Sequence, residues 1–287
     1  MDLAPHIIRE IVERALAEDV GPGDLTTLAV IGADVRAAAQ MVAREPGVAA
    51  GLPVAAAVFA AVDPAVAFTA RVSEGEPFAA GQVLAEVRGP ARGLLTGERL
   101  ALNLLQRMCG TATLTARYVA AVKGTRARIL DTRKTTPGLR ALEKYAVRAG
   151  GGTNHRFALY DGVMLKDNHL AILAAQGIGL AEAVRRAKEA VGPMVRVEVE
   201  VDSVEDAVTA AEAGADLILL DNMPQAELRR AVEALGGPAR ERPLLEASGG
   251  ITLETVRAVA ESGVDYISVG ALTHSARALD IGLDFIA

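Results

Sequence analysis

The second half of the chain constrains the fold most, because six short apolar segments alternate there with helical stretches after Arg128. The apolar segments are ARILDT, GVMLKD, VRVEVEV, LILLDN, LLEASG and YISVGA. Strands that are apolar on both faces and separated by helices are typical of a parallel sheet covered on both sides, or of a barrel. Six units are fewer than the eight of a complete (β/α) barrel. We therefore expect an open or incomplete barrel, with a doubly wound sheet as the alternative.

Helices are predicted between these segments by apolar residues at helical spacing. Their predicted ranges are Leu139–Ala149, Leu180–Ala190, Val204–Ala213, Gln225–Leu235 and Leu253–Ser262. This alternation of strand and helix is the only repeat in the sequence.

The first 112 residues have a different pattern, with an alanine-rich helix, Leu52–Val62, among short strand-like pieces punctuated by glycine. Helical spacing predicts a helix that Gly110 ends, after which Thr111 or Thr113 caps a second helix that ends near Gly124. We predict an N-terminal α+β domain over residues 1–112, joined by the C-terminal segment 273–287, and a barrel domain over residues 113–272.

Composition excludes several classes of function. The net charge of −6 gives no general attraction to nucleic acid or to anionic membranes, and the absence of Trp argues against stacking platforms for bases. Met1–Val20 is charged throughout, so it predicts an amphipathic helix and not a signal peptide. Cys109 is the only cysteine, which fits a reducing compartment. We expect a cytoplasmic globular protein.

Polar residues follow each apolar segment at the carboxyl edge of the predicted sheet, where parallel α/β folds bind their ligands. They are Asp131, Thr132, Arg133, Lys134, Lys166, Asp167, Asn168, Glu198, Glu200, Asp221, Asn222, Glu246, Ser248, Ser268 and Gly270. Strand ends carry polar residues for structural reasons too, but six in succession favour a binding site.

Positive charge is concentrated between Asp131 and His169. This window contains seven Lys or Arg residues and four acidic residues, whereas the whole chain has a net charge of −6. Arg140, Lys144 and Arg148 repeat at helical spacing, and we interpret them as a solvated helix face. The remaining basic residues lie at strand ends or beside a run of three glycines: Arg133, Lys134, His155, Arg156 and Lys166. They are candidates for binding an anionic ligand, because Arg matches carboxylate geometry and Lys supplies a point charge.

Glu200 and Asp221 end successive strands and should lie near each other, where paired carboxylates suit Mg²⁺, sugar hydroxyls or a developing positive charge. Glu198 and Glu200 alternate with valines, so both face one side of the sheet. We expect the deeper Glu198 to pair with a nearby Lys or Arg.

Ser248, Gly249 and Gly250 follow a strand, and Thr252 is placed to cap the next helix. Exposed backbone N–H groups at a helix start form an anion site, and loops after the last strands of such barrels often bind phosphate. Gly270 and Ala271 repeat the arrangement at the last strand. The sequence holds no P-loop, no dinucleotide fingerprint, no H-E-x-x-H and no nucleophile elbow. The residues therefore indicate a site for a small polyanionic acid and a phosphorylated sugar, with Mg²⁺.

The stretch DTRKTTPGLRALEKYAVRAGGGTNHRFALYDGVMLKDNH resembles the quinolinate phosphoribosyltransferase family. The resemblance continues through EVEVDS, LILLDNM, EASGGI and GVDYISVGALTHSARALDIGLDF, and it begins as early as ALAEDVGPGDLTT. It implies an N-terminal α/β sandwich domain and an open-faced, incomplete barrel. It also implies the transfer of phosphoribosyl from phosphoribosyl pyrophosphate to quinolinate, with decarboxylation, in NAD synthesis. Mg²⁺ and a homodimer with shared sites are implied as well.

The resemblance also implies roles for individual residues. Arg133, Lys134, His155 and Arg156 would surround the quinolinate carboxylates, with Arg99 reaching in from the partner subunit and Lys166 near the reacting centre. Glu200 and Asp221 would hold the ribose hydroxyls and Mg²⁺. The 5′-phosphate would be bound by backbone N–H groups of Ser248, Gly249, Gly250, Val269, Gly270 and Ala271.

Three alternatives remain open at this point. The first is a paralogue of the same architecture associated with molybdenum transport. The second is nicotinate phosphoribosyltransferase, which handles one carboxylate and should need fewer cations. The third is a non-enzymatic binder of a carboxylated metabolite, which Glu200 and Asp221 disfavour.

Overall fold

The computed structural model describes residues 3–237 and 242–286. The chain forms two compact units. The first comprises Met1–Ala116, Lys134–Gly151 and Ala271–Ala287, and the second comprises Arg117–Arg133 and Gly152–Gly270. None of the helices in the described residues is both long and apolar enough to cross a bilayer.

The first unit is built on an antiparallel sheet of order β12-β1-β5-β3, with a small β2-β4 ribbon beside it. Up to α4, its elements are α1 (Pro5–Asp19), α2 (Leu25–Val30), β1 (Arg36–Ala43), β2 (Gly47–Val48), α3 (Leu52–Val62), β3 (Ala67–Ala70), β4 (Pro77–Phe78), β5 (Val83–Pro90) and α4 (Ala91–Ala121). Strand β12 (Ile281–Ile286) pairs with β1, with Leu283 opposite Met41. Buried Met41, Phe59 and Leu84 belong to one apolar core.

Helix α4 is continuous through Gly110, so the prediction that this glycine ends a helix is wrong. A methyl group at Gly110 would lie 1.9 Å from the carbonyl oxygen of Arg277. The glycine is therefore needed for a close approach of another chain segment and not as a helix stop. Spacing along the sequence gave no sign of this contact.

Helix α5 (Arg140–Ala149) also belongs to the first unit. Arg148 is exposed, as a solvated face requires, but Lys144 is only 2% exposed, so the predicted solvated face is wrong at that position. The neighbouring Glu143 is equally buried and accepts hydrogen bonds from Arg107. Charged residues of this helix are therefore buried together with its apolar face. The helical spacing of the charges does not predict that burial.

The second unit confirms the parallel sheet and the open, incomplete barrel. Its strands are β6 (Arg128–Leu130), β7 (Val163–Leu165), β8 (Val197–Val201), β9 (Leu217–Asp221), β10 (Leu244–Ser248) and β11 (Tyr266–Ser268). They pair in parallel in the order β6-β11-β10-β9-β8-β7, and within the described residues the two edge strands do not pair with each other. Each strand coincides with one of the six predicted apolar segments.

The helices of the second unit lie between these strands. They are α6 (Asp167–Ala174), α7 (Leu180–Ala190), α8 (Val204–Glu212), α9 (Gln225–Ala234) and α10 (Val256–Ala260), while α11 (Ala271–His274) belongs to the first unit. Helix α10 is much shorter than the predicted Leu253–Ser262. The N-cap residue of this helix is Thr255 and not Thr252. The Thr252 N–H donates to Thr255 Oγ1 in the turn that precedes the helix.

Candidate active site

The carboxyl edge of the parallel sheet brings together several predicted residues. Ser248, the last residue of β10, pairs in register with Asp221, the last residue of β9. Glu200 lies one position before the end of β8 and Lys166 follows β7. Neighbouring residues in register point to the same face of a parallel sheet, so Glu200, Asp221 and Ser248 share one face and one edge.

Lys166 and Glu200 form an ion pair, with 2.7 Å between Nζ and Oε2. The lysine side chain is 43% exposed and the glutamate 14%, so the pair lies where the sheet edge meets solvent. The Lys166 N–H also donates to Nδ1 of His169 at the start of α6, which fixes the backbone that carries the lysine. A cation and an acid in contact can exchange partners when a charged ligand arrives.

Asp221 is oriented by its neighbour Asn222, whose Nδ2 donates to Asp221 Oδ2 at 2.7 Å. Asn222 has φ 53°, the only positive φ at a non-glycine residue in the described chain, and its N–H donates to the Ser248 carbonyl. The side chain of Asn222 also lies against Gly249, where an added Cβ would be 2.1 Å from Asn222 Oδ1. Asn222 thus joins the ends of β9 and β10.

The turn after β10 presents backbone donors. Gly249 and Gly250 have φ values of 96° and 60°, and neither N–H donates a hydrogen bond within the part of the chain described. Successive N–H groups in such a turn form a concave anion site. Because α10 has only five residues and starts at Val256, an anion bound here would be held by the turn and not by the helix dipole.

The Val269 N–H already has a partner, since it donates to the Leu130 carbonyl at 3.0 Å. Its predicted contribution to a phosphate site therefore stays a prediction, and the Ser248-Gly249-Gly250 turn is the better-supported cradle. Gly270 follows Val269 in the second unit, whereas Ala271 belongs to the first unit.

Arg133 and Arg156 supply positive charge in the second unit, and Thr132 lies half-buried beside Arg133. Desolvation, and then the like charge of Arg133, lower the pKa of Arg156, while Glu198 opposes this effect. The Arg156 guanidinium donates to the Gly162 carbonyl at 2.9 Å. Two arginines close enough to repel each other are suited to a ligand with two negative charges.

Asp131 organises the loop that carries Arg156. Its buried carboxylate accepts the His155 N–H at 2.9 Å and the Asn154 side-chain amide at 2.6 Å. The sequence placed Asp131 at a strand end but gave it no role. In the sequence, the position of this acid directly after an apolar strand and before a glycine-rich loop could have indicated the role.

Below the edge, His155, Glu198 and Glu246 form a buried cluster. His155 Nε2 lies 3.1 Å from Oε2 of Glu198 and 3.5 Å from Oε2 of Glu246. Glu246 is the third residue of β10 and fully buried, so it does not lie at the strand end as predicted. Glu198 pairs with His155 and its charge also acts on Arg156, so the expected pairing with a Lys or Arg stays a prediction.

A cavity of about 350 Å³ adjoins this cluster. His155, Arg156, Glu198 and Glu246 line it together with residues at the amino ends of strands, such as Val163, Leu217 and Tyr266. Lys166, Glu200, Asp221 and Ser248 do not line it. The cavity therefore extends from this cluster toward the amino ends of the strands, although Glu246 and Glu200 are both in register with Leu219.

Burial, followed by the nearby Glu198 carboxylate, raises the pKa of Glu246 from its ordinary 4.5 to about 8, and His155 acts in the opposite direction. Because the folded protein then binds a proton that the unfolded chain releases, this group makes the protein less stable as the pH rises from about 5 to 8.

We expect Glu246→Gln to remove this loss. The variant should match the wild type near pH 5 and exceed its free energy of unfolding by a few kcal/mol, as an order of magnitude, near pH 8. Urea denaturation of both proteins across this range measures the difference, and other titrating groups cancel in the comparison. A difference that stays constant with pH would show that Glu246 does not hold the proton.

The three remaining predicted site residues, Arg99, Lys134 and Ala271, belong to the first unit. Arg99 lies on α4 and is exposed. Lys134 is exposed, and its carbonyl accepts a hydrogen bond from Thr273 Oγ1. Their predicted roles at the site stay predictions.

Comparison with known proteins adds to this geometry. Two family models match the chain: "Quinolinate phosphoribosyl transferase, C-terminal domain" over residues 111–284 and "Quinolinate phosphoribosyl transferase, N-terminal domain" over residues 24–109. Together they cover most of the sequence.

Individual relatives extend over nearly the full length. The chain is 49% identical to nicotinate-nucleotide pyrophosphorylase (carboxylating) of Mycobacterium leprae, over 96% of each chain. It is 44% identical to a Bacillus subtilis protein named "Probable nicotinate-nucleotide pyrophosphorylase (carboxylating)", over 96% of this chain and 93% of that one. The solved nicotinate-nucleotide pyrophosphorylase of Francisella tularensis superposes with a TM-score of 0.92 at 36% identity, covering 99% of this chain and 98% of that chain.

Proposed function

The chain belongs to the quinolinate phosphoribosyltransferase family, and we propose that it transfers phosphoribosyl from phosphoribosyl pyrophosphate to quinolinate with loss of CO₂. The products are nicotinate mononucleotide, pyrophosphate and CO₂, and the reaction serves NAD synthesis. The observation that carries this proposal is the shared edge of Glu200, Asp221 and the Ser248-Gly249-Gly250 turn in the same unit as two mutually repelling arginines.

The acid substrate is assigned to the basic residues. Arg133 and Arg156 would bind the two carboxylates of quinolinate, with Lys134 and Lys166 adding positive charge. Fixing both carboxylates turns the ring nitrogen toward the anomeric carbon of the donor. A bound pair of substrates in line gains much of its acceleration from this orientation.

The donor is assigned to the sheet edge. The N–H groups of Gly249 and Gly250 suit its 5′-phosphate, and the carboxylates of Asp221 and Glu200 suit its ribose hydroxyls. The bond between the ring nitrogen and ribose C1 forms as the C1–pyrophosphate bond breaks. The carboxylates offset the positive charge that develops on the sugar. The C2–carboxylate bond then breaks, and C2 takes up a proton.

The side chains at this edge could supply only some of the ligands that Mg²⁺ needs. Glu200 already pairs with Lys166 and Asp221 accepts a hydrogen bond from Asn222, so these two acids offer few coordination positions. Mg²⁺ is commonly held by one or two carboxylates together with water and substrate phosphates. We therefore place it at Glu200 and Asp221 with the pyrophosphate oxygens, where it would neutralise charge on the leaving group.

A homodimer with shared sites is part of the proposal. Leu25, Leu28 and Val30 of α2 are 84%, 52% and 72% exposed, which is unusual for a short apolar helix. The side chain of Thr96 on α4 donates a hydrogen bond to Asp24, which directly precedes α2. Arg99 lies three residues after Thr96 on α4, so it is close to this apolar helix. An apolar surface beside an exposed arginine supports a subunit interface through which Arg99 reaches the partner's site.

Mixing two inactive variants tests this arrangement. Arg99→Ala and Lys134→Ala subunits, mixed and allowed to exchange, should regain about a quarter of wild-type activity, because half of the dimers are mixed and each holds one intact site. Native mass spectrometry confirms that mixed dimers form. If mixed dimers form without any recovery, Arg99 acts within its own subunit or not at all.

The proposed activity is tested with purified protein, Mg²⁺, phosphoribosyl pyrophosphate and either quinolinate or nicotinate. Formation of nicotinate mononucleotide from quinolinate is expected. Activity with nicotinate alone would instead assign the chain to the one-carboxylate reaction. Binding of quinolinate without any turnover would support a metabolite binder.

We also propose a cytoplasmic location. The single cysteine, Cys109, is a free thiol, as a reducing compartment favours, and its burial raises its pKa to about 12.

A further inference from the structure

Lys134, one of the cations assigned to the acid substrate, begins a segment without regular secondary structure. Residues 134–138 lie between β6 and α5, outside any helix or strand. Backbone N–H groups outside regular structure need other partners, and the side chains that accept their hydrogen bonds decide where such a segment lies. The position of Lys134 therefore depends on the side chains that hold residues 134–138.

Glu143 and Arg107 hold this segment at Thr136. Oε2 of Glu143 accepts the Thr136 N–H at 3.0 Å. Oε1 of Glu143 accepts from Arg107, at 2.6 Å from Nη2 and 3.1 Å from Nε. Arg107 Nη2 also donates to the Thr136 hydroxyl. An acid of α5 and an arginine of α4, called here the Arg107–Glu143 pair, thus contact both the backbone and the side chain of one loop residue.

Stability alone does not explain this pair. The Glu143 side chain is 2% exposed and that of Arg107 is 37% exposed. Removing a carboxylate from water is costly, and apolar side chains of similar volume often stabilise a protein as well as a buried ion pair does. Two apolar residues could join α4 to α5, but they could not accept the Thr136 N–H. What the pair supplies, and an apolar contact cannot, is a fixed position for Thr136.

Thr136 is close enough to Lys134 to fix its backbone. Two residues of extended chain span at most about 7 Å. The Lys134 carbonyl itself accepts a hydrogen bond from Thr273 Oγ1 at 2.7 Å, so contacts at Thr273 and at Thr136 hold the chain on either side of Thr135. We propose that Glu143 and Arg107 are positioning residues, which fix Lys134 for binding of the acid substrate by holding the backbone at Thr136. The inference rests on the proposed function, in which Lys134 adds positive charge for quinolinate.

Hydrogen exchange tests the hold on Thr136 without a catalytic assay. In the double variant Arg107→Met with Glu143→Leu, both charges are removed together and the Thr136 N–H loses its acceptor. Exchange at Thr136, followed by mass spectrometry of fragmented peptides, should become at least about tenfold faster. An unchanged rate would overturn the proposal. Faster exchange, together with a wild type that does not turn over quinolinate, would contradict the proposed reaction and leave the hold on Thr136 intact.

Kinetics of the double variant distinguish positioning from a purely structural role. Because apolar residues replace both charges, its urea midpoint should stay close to that of the wild type, whereas the single variant Glu143→Leu leaves Arg107 unpaired and should unfold at lower urea. The KM of the double variant for quinolinate should rise about 10- to 100-fold, with the KM for phosphoribosyl pyrophosphate changed less than about threefold. A stable double variant with an unchanged KM for quinolinate would show that the pair is only structural.

Glu143→Gln keeps the shape of the side chain and remains informative if the apolar variants do not fold. Its amide has one acceptor oxygen, which cannot hold both the Thr136 N–H and Arg107 as the two carboxylate oxygens do. Exchange at Thr136 and the KM for quinolinate should both rise about threefold or more. Wild-type values of both quantities in this variant would contradict the proposal.

Glu74→Gln is the matched control. Glu74 belongs to the same unit and also accepts backbone N–H groups, those of Gly51 and Leu52 at the start of α3. The substitution should lower stability and leave both the exchange rate at Thr136 and the KM for quinolinate unchanged. If it raised that KM as much as Glu143→Gln does, general damage to the unit would account for both effects and the proposal would be wrong.

Discussion

Replacing Arg133 with alanine is expected to raise the dissociation constant for quinolinate about 100-fold, while binding of phosphoribosyl pyrophosphate changes by less than about threefold. Arg133 is half-buried in the second unit, and its charge is felt at Arg156. One arginine cannot neutralise two carboxylates, so the loss of Arg133 leaves one negative charge of the substrate without its partner. Isothermal titration with each substrate separately measures both constants.

Two controls sharpen this test. Arg133→Lys keeps the charge but loses the planar fork of donors, so its effect should lie between those of the wild type and Arg133→Ala. Arg148→Ala removes an exposed arginine of α5 and should leave both constants unchanged. Equal weakening of both substrates by Arg133→Ala would show that this arginine does not bind the acid.

Gly249→Ala is expected to lower the free energy of unfolding by about 3 kcal/mol and to raise the KM for phosphoribosyl pyrophosphate about 100-fold. The residue has φ 96°, and a Cβ there would lie 2.1 Å from Asn222 Oδ1 and 3.0 Å from the Asn222 backbone nitrogen. Asn222 must move, and Asp221 loses the hydrogen bond that orients it. Urea denaturation and steady-state kinetics measure the two effects.

The adjacent glycine provides a matched comparison. Gly250 has φ 60°, but an added Cβ would meet no atom within 4 Å, so Gly250→Ala should cost only about 1 kcal/mol of backbone strain. In the double variant Asn222→Gly with Gly249→Ala, the contact with the Asn222 side chain is gone. Stability should then return in part, while the KM for the donor stays high because Asp221 still lacks its partner. Similar costs at Gly249 and Gly250 would contradict this account.

The sequence predicted the sheet of the second unit well, because apolar runs bounded by turns depend on local composition. All six segments are strands, and α7 runs over the predicted Leu180–Ala190. The carboxyl edge followed from topology, since parallel strands place Asp221 and Ser248 together once they are neighbours. Family resemblance then supplied the identity of the substrates, which no spacing could give.

Three of the errors share one physical cause, which is contact between residues distant in the sequence. Gly110 looked like a helix stop because its approach to Arg277 could not be seen. Lys144 looked solvated because the covering of α5 could not be seen. The cluster of His155, Glu198 and Glu246 was missed because a histidine from a loop meets acids from two strands, and only the three-dimensional structure brings them within 3.1 and 3.5 Å. The sequence predicted only a polar strand end at Asn222, although asparagine is enriched among non-glycine residues with positive φ.

The most direct test of the central claim uses quinolinate labelled with ¹³C in the carboxylate at C2. The account predicts that the purified protein, with Mg²⁺ and phosphoribosyl pyrophosphate, releases labelled CO₂ in a one-to-one ratio with pyrophosphate and with unlabelled nicotinate mononucleotide. Release of pyrophosphate without labelled CO₂, or no turnover of quinolinate by correctly folded dimer, would contradict it.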